Sequence, residues 1–161
     1  MQPPYDIAQV CLNGHLITDQ LNEAPHRAAD FCEKCGEKTI TRCAHCQRAI
    51  QGRRIMGINS FEIPRVPDFC RGCGSAYPWM LRKIAVLETL ASEIDGLDPE
   101  DRRIWREDLP DLIKDTPRTP LAANRFLKVI RKLGPTIGDG AKTIIIQVIS
   151  EAAKKIMFPV G

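Results

Sequence analysis

The spacing of apolar residues changes near residue 76. Before it, apolar positions fall in short extended runs such as EKTITR (37–42) and RRIMGI (53–58), separated by turn residues. After it, they recur at steps of three and four. Leu81, Ile84, Leu87, Leu90, Ala91 and Ile94 predict a helix from Pro78 to Ile94, stopped by Asp95-Gly96. Asp98 as N-cap and Pro99 in the first turn predict a short polar helix through Trp105. Residues 109–119 contain Pro110 and Pro117 and read as a linker.

Thr119-Pro120 opens a second strong helix to Leu133. Phe126, Val129, Ile130 and Leu133 make one face of it, and Arg125, Lys128, Arg131 and Lys132 the other. Gly134, Pro135, Gly138 and Gly140 supply a turn. A last helix is predicted from Asp139 to Phe158, ended by Pro159. Its stripe is Ala141, Ile144, Ile145, Val148, Ile149, Ala152 and Ile156, and Ile146 widens the apolar surface beyond one face. The chain therefore divides at Ser75–Trp79 into residues 1–75 and a helical region, residues 76–161.

The first region contains all seven cysteines and all three histidines. The cysteines are paired: Cys32/Cys35, Cys43/Cys46 and Cys70/Cys73 are C-x2-C, and Cys11 joins His15 in CLNGH. Eight donors in four chelating pairs are what two tetrahedral zinc sites need. Scattered core thiols would not pair in this way, and a thioredoxin-like C-x2-C needs a βαβ context that is missing here. Spacers of 16 residues (His15 to Cys32) and 23 residues (Cys46 to Cys70) suit the loops of zinc ribbons. Sequential grouping puts Cys11, His15, Cys32 and Cys35 on one ion and Cys43, Cys46, Cys70 and Cys73 on the other. It closes the shorter loops and is preferred, but a cross-brace has the same spacings and stays open. His26 and His45 read as surface residues. The fold class is α+β: two small zinc ribbons followed by helices, with two structural Zn²⁺ per chain.

YDIAQVCLNGHLI, FCEKCGEKTITRCAHC and FCRGCGSAYPW resemble an uncharacterised bacterial family of double zinc-ribbon proteins. The resemblance covers about residues 5–80 well and the helical tail loosely. It implies a bacterial cytosolic protein with two structural zincs and implies no reaction.

Charge refines the functional reading. The net charge of +3 hides an uneven distribution. Residues 1–75 hold 9 Lys/Arg against 8 Asp/Glu, residues 76–118 hold 7 against 10, and residues 119–161 hold 7 against 2. No apolar run approaches the ~20 residues that span a bilayer, and no export signal precedes the first pair. The expected location is cytoplasmic, with a peripheral membrane contact as the variant the basic C-terminal helices allow.

No catalytic constellation accompanies the metal pairs. Four donors per ion leave no open position, and the chain has no H-E-x-x-H and no phosphate-cradling loop. The cluster Asp98, Glu100, Asp101, Glu107, Asp108 and Asp111 reads as solvated helix ends and linker.

Three binding readings remain. The first is a protein-interaction adaptor or regulator, with Trp79, Met80 and Trp105 as apolar contacts or, more simply, as packing at the ribbon–helix junction. The second is nucleic-acid binding through Arg42, Arg48, Arg53, Arg54, Arg65 and Arg71 interleaved with Phe61 and Phe69. The third is an anionic membrane surface or a homo-oligomer met through residues 119–161.

Overall fold

In the computed structural model, residues 5–55, 65–134 and 137–159 are described. The chain forms two compact units, Met1–Arg82 and Lys83–Gly161.

The first unit is built from short strands. β1 (Tyr5–Ile7) pairs antiparallel with β5 (Gln51–Arg54). β2 (Gln9–Cys11) is the centre of a second sheet, flanked by β3 (Leu16–Thr18) and β4 (Thr39–Ile40) in the order β3-β2-β4. A single 3-10 turn, Pro25–Arg27, lies between β3 and β4. Such strands bury little apolar surface, and a core of this size needs metal in support. Polar groups also hold it. The buried Gln9 donates to the Ala29 carbonyl at 2.9 Å and accepts from the Ala29 N–H at 3.1 Å, pinning the loop onto β2. Buried Asp6 accepts from the N–H groups of Asn22 (2.9 Å) and Glu23 (3.1 Å).

Helix α1 (Pro78–Glu93) follows the periodicity read from the sequence. Its first turn belongs to the first unit. There Trp79 and Met80 are 1% exposed, so both are core residues and neither offers a contact to a partner. Trp79 stacks on Tyr77 with centroids 4.6 Å apart and donates its indole N–H to the Pro67 carbonyl at 2.9 Å.

In the second unit, α2 (Pro99–Leu112) starts as the sequence predicts, with Asp98 accepting from the Asp101 N–H at 2.8 Å. It does not stop near Trp105. The helix continues past Pro110, which corrects the short-helix and linker readings of residues 98–119. Trp105, Leu109 and Leu112 share one face at i, i+4 and i+7 and are all buried, and that burial outweighs the hydrogen bond the proline removes. Trp105 packs on Phe126 with ring centroids 4.5 Å apart, so it too is core.

α3 (Thr119–Leu133) has the bounds the pattern gives. The buried Thr119 hydroxyl at its start donates toward the Asp111 and Lys114 carbonyls, at 3.0 and 2.8 Å. The predicted turn includes Pro135, which lies outside the described residues.

The single C-terminal helix of the sequence reading is two helices, α4 (Asp139–Val148) and α5 (Glu151–Met157). Ile149 is extended (φ −69°, ψ 154°), and Ser150 caps α5 by accepting from the Ala153 N–H at 3.2 Å. The Ser150 N–H donates to the Leu112 carbonyl at 2.8 Å, which anchors the break on the end of α2. Of the predicted stripe, Ile145, Val148 and Ile149 are buried and Ala141, Ile144, Ala152 and Ile156 half-buried, and past the bend it is Ala153 and Met157 that turn into the core. Ile146 is left exposed.

Candidate metal centres

The three C-x2-C turns are the same structure repeated. In each, the first Cys N–H donates to the carbonyl five residues on: Cys32 to Glu37 (2.8 Å), Cys43 to Arg48 (2.9 Å) and Cys70 to Ser75 (2.8 Å). In each, the first Cys carbonyl accepts from the N–H four residues on: from Gly36, Gln47 and Gly74, at 2.8, 2.9 and 2.8 Å. A bridge closes each base, Phe31 to Lys38, Arg42 to Ala49 and Phe69 to Ala76.

The residue after the second Cys takes a left-handed conformation, with φ of 71° at Gly36, 61° at Gln47 and 74° at Gly74. Glycine adopts it without strain, and Gln47 does not. Nothing in the residues around Gln47 marks it, although lining up the three turns puts it in the glycine position.

CLNGH makes the fourth turn. The Cys11 N–H donates to the His15 carbonyl at 3.0 Å, and the Gly14 N–H to the Cys11 carbonyl at 2.8 Å. Gly14 is doubly constrained. Its φ is +86°, and a Cβ there would lie 3.0 Å from the Trp79 Cβ.

The turns meet in pairs. Cys11, His15, Cys32 and Cys35 form one group and Cys43, Cys46, Cys70 and Cys73 the other, with the donor atoms of each within 4.8 Å of one another. The sequential grouping is therefore the one adopted, and the cross-brace is not. His26 and His45 are exposed and outside both groups.

The separations fit zinc. Bonds of about 2.3 Å to sulfur and 2.0 Å to nitrogen put tetrahedral corners about 3.8 Å (S to S) and 3.5 Å (S to N) apart. The Sγ atoms of Cys11 and Cys35 are 3.8 Å apart, those of Cys43 and Cys73 3.8 Å, and those of Cys46 and Cys70 3.6 Å. His15 Nδ1 is 3.5 Å from Cys11 Sγ and 3.6 Å from Cys32 Sγ. These are the edges of a tetrahedron around one ion. Each group can hold a Zn²⁺, so the chain can bind two.

Local dipoles prepare the sulfurs. The Glu37 N–H, outweighing burial, holds the Cys35 thiol down to about 6. In the second group the Gly72 N–H does the same for Cys70, to about 6. Cys46 is pushed up to about 11: the Arg48 N–H favours its thiolate, but burial and the three neighbouring sulfurs outweigh it. Each group thus combines a thiol that ionises readily with sulfurs crowded against one another, and a cation relieves the crowding. In every C-x2-C pair the first Cys is buried and the second exposed.

Arg82, in the second turn of α1, forms an ion pair with Glu37 at 2.5 Å and donates to the Asn13 side chain, tying two turns of the first centre to the helix. Nothing in its sequence context marks this role.

The arginines singled out from sequence are scattered in purpose. Arg53 pairs with Asp19 at 3.0 Å, Arg42 donates to the Gln47 carbonyl at 3.1 Å, and Arg71 donates to Gln51 and lies over the Tyr5 ring. Arg48 packs against Gly72. Arg54 and Arg65 are exposed, Phe69 is half-buried, and Phe61 lies outside the described residues.

The acidic cluster is solvated only in part: Asp98, Glu100 and Glu107 are exposed, as read from the sequence. Asp101 and Asp108 are buried on α2, where Lys132 (2.6 Å) and Arg125 (3.1 Å) of α3 meet them. Asp111 pairs with Arg118 at 2.9 Å. Two of the seven basic residues of 119–161, Arg125 and Lys132, thus answer the acid of α2.

A family model described as "Uncharacterized protein conserved in bacteria (DUF2321)" matches residues 4–157. No curated protein matches the chain, and no solved structure does.

Proposed function

This chain belongs to DUF2321, a family of uncharacterized proteins conserved in bacteria, and we propose that it is a non-catalytic, zinc-stabilised adaptor or regulator that binds another protein. One observation carries the reading: each metal centre gathers four protein donors, so a bound zinc has no position left for substrate or water. Zinc in such a centre supplies folding energy and holds the turns rigid. The surface those turns display is then what is left to act. The two tryptophans are buried, so a partner must be met through other residues.

The adaptor reading is tested by capture from a bacterial lysate with the immobilised, zinc-loaded chain. The expected result is a protein recovered reproducibly with the zinc-loaded chain and lost after chelation. Failure to retain any protein reproducibly would overturn it.

Nucleic-acid binding is the second reading, and the charge of the second ribbon favours it. Residues 42–73 hold 6 Lys/Arg against 2 Asp/Glu. Arg53 is partly committed to Asp19 and Arg71 to Tyr5 and Gln51, which weakens it. A salt-dependent gel shift with single-stranded DNA or RNA, lost on reversing Arg48 and Arg54, would support this reading over the first.

Membrane contact through residues 119–161 loses part of its support, because Ile145, Val148 and Ile149 of the apolar stripe are buried, while Ala141, Ile144, Ala152 and Ile156 stay half-buried and Ile146 exposed. No described helix is long and apolar enough to cross a membrane.

A further inference from the structure

Two zinc turns leave strand edges open beside one another. At the base of the first, the Cys32 N–H bonds to the Glu37 carbonyl and the Thr39 N–H to the Asp30 carbonyl. Phe31 lies between these bonds, opposite Lys38. In an antiparallel pair this is the position whose own N–H and C=O turn outward. Arg42 stands in the same place in the second turn, between the bonds of Cys43 to Arg48 and of Ile50 to Thr41. The opposite strands are already paired: the Lys38 carbonyl accepts from Leu12, and β5 pairs with β1. Among the described residues, no hydrogen bond reaches the backbone N–H or C=O of Phe31 or Arg42.

Both segments line one groove of about 690 Å³. Phe31 stands in its wall, 55% exposed, one of five large apolar side chains left in solvent among the described residues. Ile40 and Ala44 add apolar surface, and Lys38 and Arg42 add two positive charges against the single carboxylate of Asp30. Arg42 donates to a carbonyl and not to a carboxylate, so its charge is not neutralised. Open backbone edges, an apolar wall and a positive excess are complementary to one occupant: an extended, acidic peptide that carries apolar residues in alternation.

We propose that the groove between the first two C-x2-C turns, walled by Phe31 and flanked by Lys38 and Arg42, binds an acidic peptide segment of another protein in extended conformation. The peptide adds backbone hydrogen bonds at Phe31 and Arg42, sets an apolar side chain against the Phe31 ring, and directs carboxylates to Lys38 and Arg42. This deepens the adaptor reading and rests on it.

The test uses the full zinc-loaded chain and a fluorescein-labelled peptide of roughly eight residues, ordinary strand length, alternating glutamate with valine. The matching lysine/valine peptide and single-stranded oligo(dT) are the comparisons. The expected result is binding of the glutamate peptide alone, with shifts of the Phe31 and Arg42 amide resonances. Phe31→Ala should weaken binding about tenfold. Reversing both Lys38→Glu and Arg42→Glu should weaken it about tenfold or more and transfer preference to the lysine peptide. An unfolded variant could not give that exchange, and retention of two zincs checks its fold.

No binding, equal binding of both peptides, or binding that leaves the Phe31 and Arg42 amides unmoved would overturn the proposal. Tighter binding of oligo(dT) at the same amides would overturn it in favour of nucleic acid. Amide shifts there that follow protein concentration would overturn it in favour of a second copy of the chain. A lysate partner still captured by the double-reversal variant would sink the groove while leaving the adaptor reading intact.

Discussion

Asp108 of α2 and Arg125 of α3 form a two-pronged ion pair: Arg125 Nε lies 3.1 Å from Asp108 Oδ2, and a second guanidinium nitrogen reaches Oδ1. The carboxylate is 1% exposed and the guanidinium 41%. Burial raises the Asp108 pKa above its ordinary value, and Arg125 opposes the rise. A raised carboxyl pKa means that folding favours the protonated form. This group's contribution is therefore best at acid pH and worsens as pH rises through its folded value.

Breaking this pair from either side should have unequal effects. Arg125→Ala strands a buried carboxylate and should destabilise the chain by about 2 kcal/mol, less than for a fully buried pair because the guanidinium is partly in solvent. Asp108→Asn removes the charge that is costly to bury and should cost clearly less. Urea denaturation at neutral pH compares the two, and equal losses would contradict the argument.

Gln47 sits where the other two C-x2-C turns have glycine, with φ of 61°. Gln47→Gly should relieve about 1 kcal/mol of backbone strain. Gly74→Ala should introduce a similar cost. Urea denaturation of the zinc-loaded variants is the measurement, and a destabilised Gln47→Gly chain would show that the side chain contributes more than the strain.

Metal removal should separate the two units. Trp79 belongs to the zinc-bearing unit and Trp105 to the helical one. Chelation should release two zincs per chain, red-shift the emission of Trp79 in a Trp105→Phe background, and leave Trp105 little changed in a Trp79→Phe background. Metal analysis well below two zincs per chain would refute the assignment of the eight ligands.

Acid should strip the metal. Cys35 and Cys70 are each lowered from 9.0 to about 6, so their contribution is complete above the unfolded value and is lost as pH falls through about 6. Zinc affinity should drop steeply below pH 6, by about tenfold per pH unit for each ligand that takes up a proton. Competition with a chromophoric chelator at a series of pH values measures the slope, and a flat profile from pH 7 to 5 would contradict it.

The break between α4 and α5 depends on Ser150. Its hydroxyl caps α5 at the Ala153 N–H. Ser150→Ala should lower stability by about 1 kcal/mol. An unchanged denaturation midpoint would show that burial of Ile149 and Ala153 fixes the break without the cap.

By itself the sequence determined whatever depends on near neighbours. The eight ligands stand out because a C-x2-C turn is a local structure with fixed spacing. α1 and α3 keep almost the bounds their periodicity gives, because each carries a continuous apolar stripe between clear start and stop residues. The tertiary structure decided what depends on a distant partner. Pro110 reads as a terminator, yet α2 passes it because Leu109 and Leu112 gain a core. The stripe of residues 141–156 reads as one helix, but burying Val148, Ile149 and Ala153 together requires a bend at Ile149. The acid of α2 and the base of α3 look like two solvated faces until the helices dock. Asp101 then meets Lys132 and Asp108 meets Arg125, across separations of 31 and 17 residues that no local pattern encodes.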